Sequence, residues 1–148
     1  DDIYDDQGKR GGLAEDALFV IAGDLNGDPE DGQGSEGIAR LLASPRVTNS
    51  PIPGSEGGEE QASLQGGANT SHRGNPRYDT LDAADKGGPG NLRVDYVLPA
   101  SGLNCVASEV FWPNNDSKLF QLVGTHPFPG SDHRLVWMDI NWVDVQEP

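Results

Sequence analysis

Apolar side chains in this sequence come only in short runs, and each run adjoins acidic or amide residues. The apolar stretch 17–22 leads into Gly23-Asp24-Leu25-Asn26, the stretch 91–99 contains Arg93-Val94-Asp95-Tyr96, and Ser131-Asp132-His133 opens the stretch 133–143. Runs of this length suit strands better than helices. A chain so built folds into short strands whose ends carry polar loops, and loops held by rigid strands are a common seat of chemistry.

Composition narrows the choice. Twenty glycines and eleven prolines among 148 residues exclude a helical bundle. The hydrophobic content of 34% is low for a self-contained globule, so the chain is one domain or part of one. No apolar run approaches the roughly 20 residues of a membrane span. A formal charge of -14 argues against tight binding of duplex DNA, which draws on Lys and Arg to neutralise phosphates. It leaves room for a small phosphate ester held through a cation. The single Cys105 cannot form an internal disulfide and reads as a buried thiol. The opening Asp1-Asp2-Ile3-Tyr4-Asp5-Asp6 has no signal-peptide character and reads like the interior of a longer protein.

Along the chain, residues 1–16 read as loop with a helical turn near 13–17. Residues 17–22 read as a strand covered on both faces. Gly27-Asp28-Pro29 forces a turn, and Ser35 is placed to cap a helix over 36–43, where Ile38, Leu41 and Leu42 recur at helical spacing. Residues 45–91, rich in Gly, Pro, Ser, Asn and acidic side chains, read as a long loop excursion within the domain. Strands are expected over 91–99 and 103–112, paired antiparallel across the turn at 99–102, and over 133–143, with 114–123 irregular.

The polar residues admit two readings each. Asp24 and Asn26, two apart on extended chain, would face one point and could orient a water, hold a cation or donate to a phosphate oxygen; equally they could satisfy backbone N–H groups in a turn. Asp95, charged amid apolar neighbours, needs a partner: Arg93 on the same face, or a histidine whose ring it would orient. Ser131-Asp132-His133 is either a solvated turn or a site in which Asp132 holds a cation and His133 stabilises a phosphorane. His72 and His126 read as surface residues. The acidic group Asp28, Glu30 and Asp31 reads mainly as a solvated loop, with a second-ion role open. The sequence has no paired cysteines for zinc, no Gly-rich phosphate loop and no nucleophile elbow.

Taken together and in this order, Gly23-Asp24-Leu25-Asn26, Arg93-Val94-Asp95-Tyr96 and Ser131-Asp132-His133-Arg134 resemble the C-terminal half of the endonuclease/exonuclease/phosphatase superfamily. That superfamily includes pancreatic-type DNases, abasic-site endonucleases, sphingomyelinases and inositol polyphosphate 5-phosphatases. The resemblance spans 20–139. The stretch 28–32 and the acidic balance are closer to the bacterial, exported branch, which favours an extracellular or periplasmic setting.

The resemblance implies an α+β fold: the C-terminal half of a DNase-I-like four-layered sandwich, with one mostly antiparallel sheet, one or two helices and the 45–91 loop, all of 1–148 forming a partial domain. It implies hydrolysis of a phosphodiester or phosphomonoester by in-line attack of water, assisted by Mg²⁺ or Mn²⁺ (Ca²⁺ remaining open), without a covalent enzyme intermediate. By motif position Asp24 resembles the residue that orients water and binds metal, Asn26 the one that contacts the scissile phosphate, Asp132 a metal-site carboxylate, His133 the residue that stabilises the transition state, and Asp95 its partner. A glutamate ligand, an asparagine and a second histidine of the family belong to the preceding half of the fold and have no counterpart here. The expected partners are thus that N-terminal half and a small phosphoester or nucleic-acid substrate, and the chain alone is expected to be inactive. The competing reading is a non-catalytic binding module derived from the same fold.

Overall fold

The computed structural model describes residues 4, 6–14, 16–32, 34–49, 51–83 and 86–142. The opening residues 1–3 and Val143, the expected end of the last strand, lie outside the described residues. The elements in order are β1 (Val20–Asp24), α1 (Ser35–Leu42), α2 (Glu56–Gln65), β2 (Asp95–Pro99), β3 (Leu103–Phe111) and β4 (Leu135–Trp142). Single turns of 3-10 helix occupy Gly67–Ser71, Pro76–Tyr78 and Lys118–Leu122. The class is α+β, consistent with a partial DNase-I-like domain. No helix among the described residues is long and apolar enough to cross a membrane.

Two antiparallel pairs replace the single sheet anticipated from sequence. β1 pairs with β2, Val20 opposite Pro99 and Asp24 opposite Asp95. β3 pairs with β4, Leu103 opposite Trp142 and Phe111 opposite Leu135, with a bulge between Cys105 and Ala107. The expected hairpin of β2 with β3 across 99–102 does not form. Backbone groups at the end of β2 are already engaged: Ala100 N donates to Phe19 O at 2.8 Å and Pro99 O accepts from Thr48 N at 2.8 Å. The chain therefore turns a corner and enters the second pair, and the two pairs meet along β2 and β4.

Each pair has its own core. Ile38 of α1 packs on Tyr96 and Leu98 of β2, flanked by Ile21, Leu25, Leu41, Leu42 and Val47. This is the periodic face of α1 read from the sequence, and each such side chain contributes about 1.5–3 kcal/mol when fully buried. Ser35 is the first helical residue, not the cap; Gly34, at φ 85°, takes that place because glycine tolerates a left-handed backbone. Val110, Trp112 and Val123 form the second core with Phe111, Phe120 and Val136. β1 is not covered on both faces. With α1 on one side and a single neighbour strand, Leu18 and Val20 stay 39% and 46% exposed.

The segment 45–91 is not a structureless loop. It holds α2, whose Ser55 cap accepts from Gly58 N at 3.1 Å. Gly57 and Gly58, which read as loop punctuation, are there for close approach. A Cβ on Gly57 would sit 2.0 Å from Trp112 O, and one on Gly58 2.6 Å from Pro76 O. Farther on, residues 80–82 lie extended between two neighbours, Leu81 bridging both Leu92 and His133. Near the turn expected at 13–17, Ala17 N donates to Ala14 O at 3.0 Å, and no helix lies there among the described residues.

Candidate active site

The end of β1 sets the first carboxylate. Gly23, at φ 139°, adopts a backbone that L side chains rarely take, and directly precedes Asp24. β1 pairing continues one step past Asp24, Leu25 N donating to Val94 O at 2.8 Å. Asn26 then turns left-handed at φ 50°, which Asn tolerates. It is thus carried by a turn, not by the extended chain expected. Asp24 Oδ1 accepts from Asn26 N at 2.8 Å and Oδ2 from Asn26 Nδ2 at 3.0 Å. Asp24 thus accepts a backbone N–H as in a turn, whereas the Asn26 amide bonds Asp24 and not the backbone, and each carboxylate oxygen keeps a second lone pair.

Strand register places Asp95 opposite Asp24. Thr80, 1% exposed, receives the N–H groups of Val94 and Asp95 on its Oγ1 at 3.0 and 2.9 Å, which anchors the start of β2. The same residue gives its carbonyl to Arg134 N at 2.7 Å and so ties β2 to the segment that carries His133. His133 Nδ1 lies 2.9 and 3.1 Å from the two oxygens of Asp95. A carboxylate only accepts, so Nδ1 carries the proton and Nε2 is left for a ligand. Arg93 does not pair with Asp95. Its guanidinium sits 4.5 Å above the Tyr96 ring and donates to Asn49 Oδ1 at 2.9 Å.

Asp24, Asp95 and His133 each offer a ligand atom within 4.8 Å of the others. Two facing carboxylates, Asp24 exposed and Asp95 half-buried, beside one imidazole suit a hard divalent cation bound through oxygen. Asp132 is not in this group. Residues 132–134 run extended against 80–82, Asp82 N donating to Asp132 O at 2.9 Å. Neighbouring side chains on extended backbone point to opposite faces. Asp132 therefore lines a separate cavity with Gln65, Asp82, Thr125, His126 and Phe128.

Arg134 fixes the loop from behind. Buried at 3% exposure, it pairs with Asp82 at 2.7 Å, donates to Ser131 O at 2.9 Å and stacks 4.5 Å over Trp112. Burial pulls its pKa and that of Arg93 down, opposed by the acidic neighbours Asp82 and Asp28 respectively. Asp28 is no solvated loop residue. Buried at 5%, it accepts from Glu30 N, Asp31 N and Arg93 N at 2.8, 2.9 and 2.7 Å and joins the turn after β1 to the approach of β2. Sequence reading missed Thr80, Asp82 and the structural role of Asp28. Their only signal is a polar residue amid turn formers, which is not distinctive.

Comparison with curated proteins and with solved structures gave no match. The family profile described as Endonuclease/Exonuclease/phosphatase family matches residues 1–133, a span that holds Asp24, Asp95 and His133 and the elements that bring them together. The chain belongs to the endonuclease/exonuclease/phosphatase family.

Proposed function

We propose that this chain supplies the water-positioning and histidine half of a phosphoesterase site. The family is generally hydrolytic and its members generally use divalent metals. The observation that carries the reading is the Asp95–His133 contact at 2.9 Å with Asp24 alongside. A cation such as Mg²⁺ or Mn²⁺, held by Asp24 with Asp95 adjacent, would supply positive charge to the phosphate oxygens. Asp24 would orient and deprotonate the attacking water. His133, its ring fixed by Asp95 and protonated on both nitrogens, would donate its Nε2–H to an oxygen of the phosphate and stabilise its developing charge. Asn26 would steady Asp24 through the bonds described and turn its amide to the phosphate when substrate arrives. Asp132 would need to swing from its separate cavity to serve as a ligand.

The formal charge of -14 favours small esters over duplex DNA as substrate. Two carboxylates are few for a hard cation, and β1 is open on one face. Further groups from the same domain's N-terminal half would complete the site, so the chain by itself should turn over slowly. The test is hydrolysis of bis-p-nitrophenyl phosphate with Mg²⁺ or Mn²⁺, repeated on Asp24→Ala and His133→Ala. Turnover that survives both changes would remove this site from consideration.

One observation favours the competing reading of a binding module: one of the two Asn26 amide N–H groups is spent on Asp24. Calorimetric titration of a phosphate ester with and without Mg²⁺ separates the two. A binding module takes the ester regardless of metal; a hydrolase site does not.

A further inference from the structure

A cavity of about 620 Å³ between α1 and the segment 73–79 lies apart from the Asp24–Asp95–His133 group. Leu42, Ile52 and Tyr78 give it an apolar wall, and Asn49, Asp79 and Arg93 give it polar ones. Asp79 and Arg93 are 6% and 7% exposed. Groups so buried are normally paired. Here the Arg93 side chain makes a single hydrogen bond, to Asn49, and lies in no ion pair among the described residues. The Asp79 carboxyl makes neither hydrogen bond nor ion pair among them. Fully occluded polar atoms without partners occur at Asn91, Trp112, Asn114 and Arg134 and not at Asp79, which lines the cavity.

Charge decides what fits. Asp28 and Glu30 line the cavity beside Asp79, and Asp31 stands close behind; Arg73 and Arg93 are the cations. Arg73 is committed to the Glu30 carbonyl. Burial first, then Asp28 and Asp31, pushes the Asp79 carboxyl up to about 8. A positive group beside Asp79 would oppose these effects by favouring the charged form, whereas Arg93, which also lines the cavity, calls for an oxygen.

We propose that this cavity is a second ligand site, taking a small organic amine whose ammonium pairs with Asp79, whose oxygen meets Arg93 and whose carbon chain lies on Leu42, Ile52 and Tyr78. Binding ionises Asp79, and its proton passes to solvent.

The test titrates ethanolamine and 6-aminohexanol into the chain at pH 7, in phosphate and in HEPES, whose ionisation heats differ. Release of about 0.9 proton per amine bound is expected, because a carboxyl titrating near 8 is about nine-tenths protonated at pH 7. The longer amino alcohol should bind at least tenfold tighter, 1,6-hexanediol and N-acetyl-6-aminohexanol should not bind, and Asp79→Asn should abolish proton release. A second readout needs no variant: the carboxyl-carbon shift of Asp79 should titrate near pH 8 in the free chain and well below it with saturating 6-aminohexanol. Absence of amine binding, binding without proton release, equal binding of the diol or the acetylated amine, or an Asp79 midpoint that ligand does not move would each overturn the proposal.

Discussion

Asp79→Asn should stabilise the chain at pH 8 and leave it unchanged near pH 4. The folded carboxyl titrates near 8 against an ordinary value of 3.8, chiefly because burial disfavours its charged form. Between those values the unfolded chain has lost this proton and the folded chain keeps it. The folded state then binds more protons, so stability falls as pH rises from about 4 to about 8 and levels off above. At about 1.4 kcal/mol per pH unit, four units amount to roughly 6 kcal/mol. That is comparable with the whole stability of an ordinary domain, about 5–15 kcal/mol. Asn carries no such proton and escapes the decline. Urea unfolding followed by tryptophan fluorescence at pH 4.5, 6, 7 and 8 gives the difference between the two proteins directly. It should grow with pH by several kcal/mol. A difference that is flat with pH, or that shrinks as pH rises, would refute the placement of Asp79 as a buried acid without a partner.

Three other substitutions probe the scaffold of the site. Asp28→Ala removes the acceptor of three backbone N–H groups, one of them at buried Arg93, and should cost about 3–5 kcal/mol in urea unfolding, with Asp28→Asn costing less. Asp82→Asn breaks the buried pair with Arg134 and should destabilise by about 3–5 kcal/mol, loosening His133 as well; crystallography or histidine NMR would report the loosening. Gly57→Ala forces a Cβ to within 2.0 Å of Trp112 O and should lower the melting temperature by far more than Gly37→Ala, whose Cβ would meet nothing within 4 Å.

What the sequence made legible was local pattern with an unambiguous period. Ile38, Leu41 and Leu42 marked α1 because helical spacing leaves no other use for them, and the alternation of Val94, Tyr96 and Leu98 marked β2. The carboxylate at position 95 drew attention because a charge in an apolar strand needs a partner, and the fold supplies His133. Pairing was not legible. Whether β2 joins β3 or β1 depends on Phe19 and Thr48 reaching its end, contacts between residues some 50–80 apart. α2 was hidden because its glycines carry two meanings: freedom in a loop, or space for a neighbouring backbone, and only the neighbour at Trp112 distinguishes them. Asp132 was misplaced for a related reason. Its alternation with His133 follows from the extended run of 132–134 beside 80–82, and 80–82 gave no strand signal of its own.

The proposed function requires Asp24, Asp95 and His133 to form one cation-and-phosphate site. Its most direct test is Mn²⁺ added in small steps to the chain while the ring proton signals of its three histidines are recorded. His133 should broaden first and selectively, and Asp24→Asn should remove that selectivity while the chain stays folded. If His126 broadens first, the ion sits in the cavity that Asp132 lines; if His72, His126 and His133 broaden alike, there is no site, and either result contradicts the account.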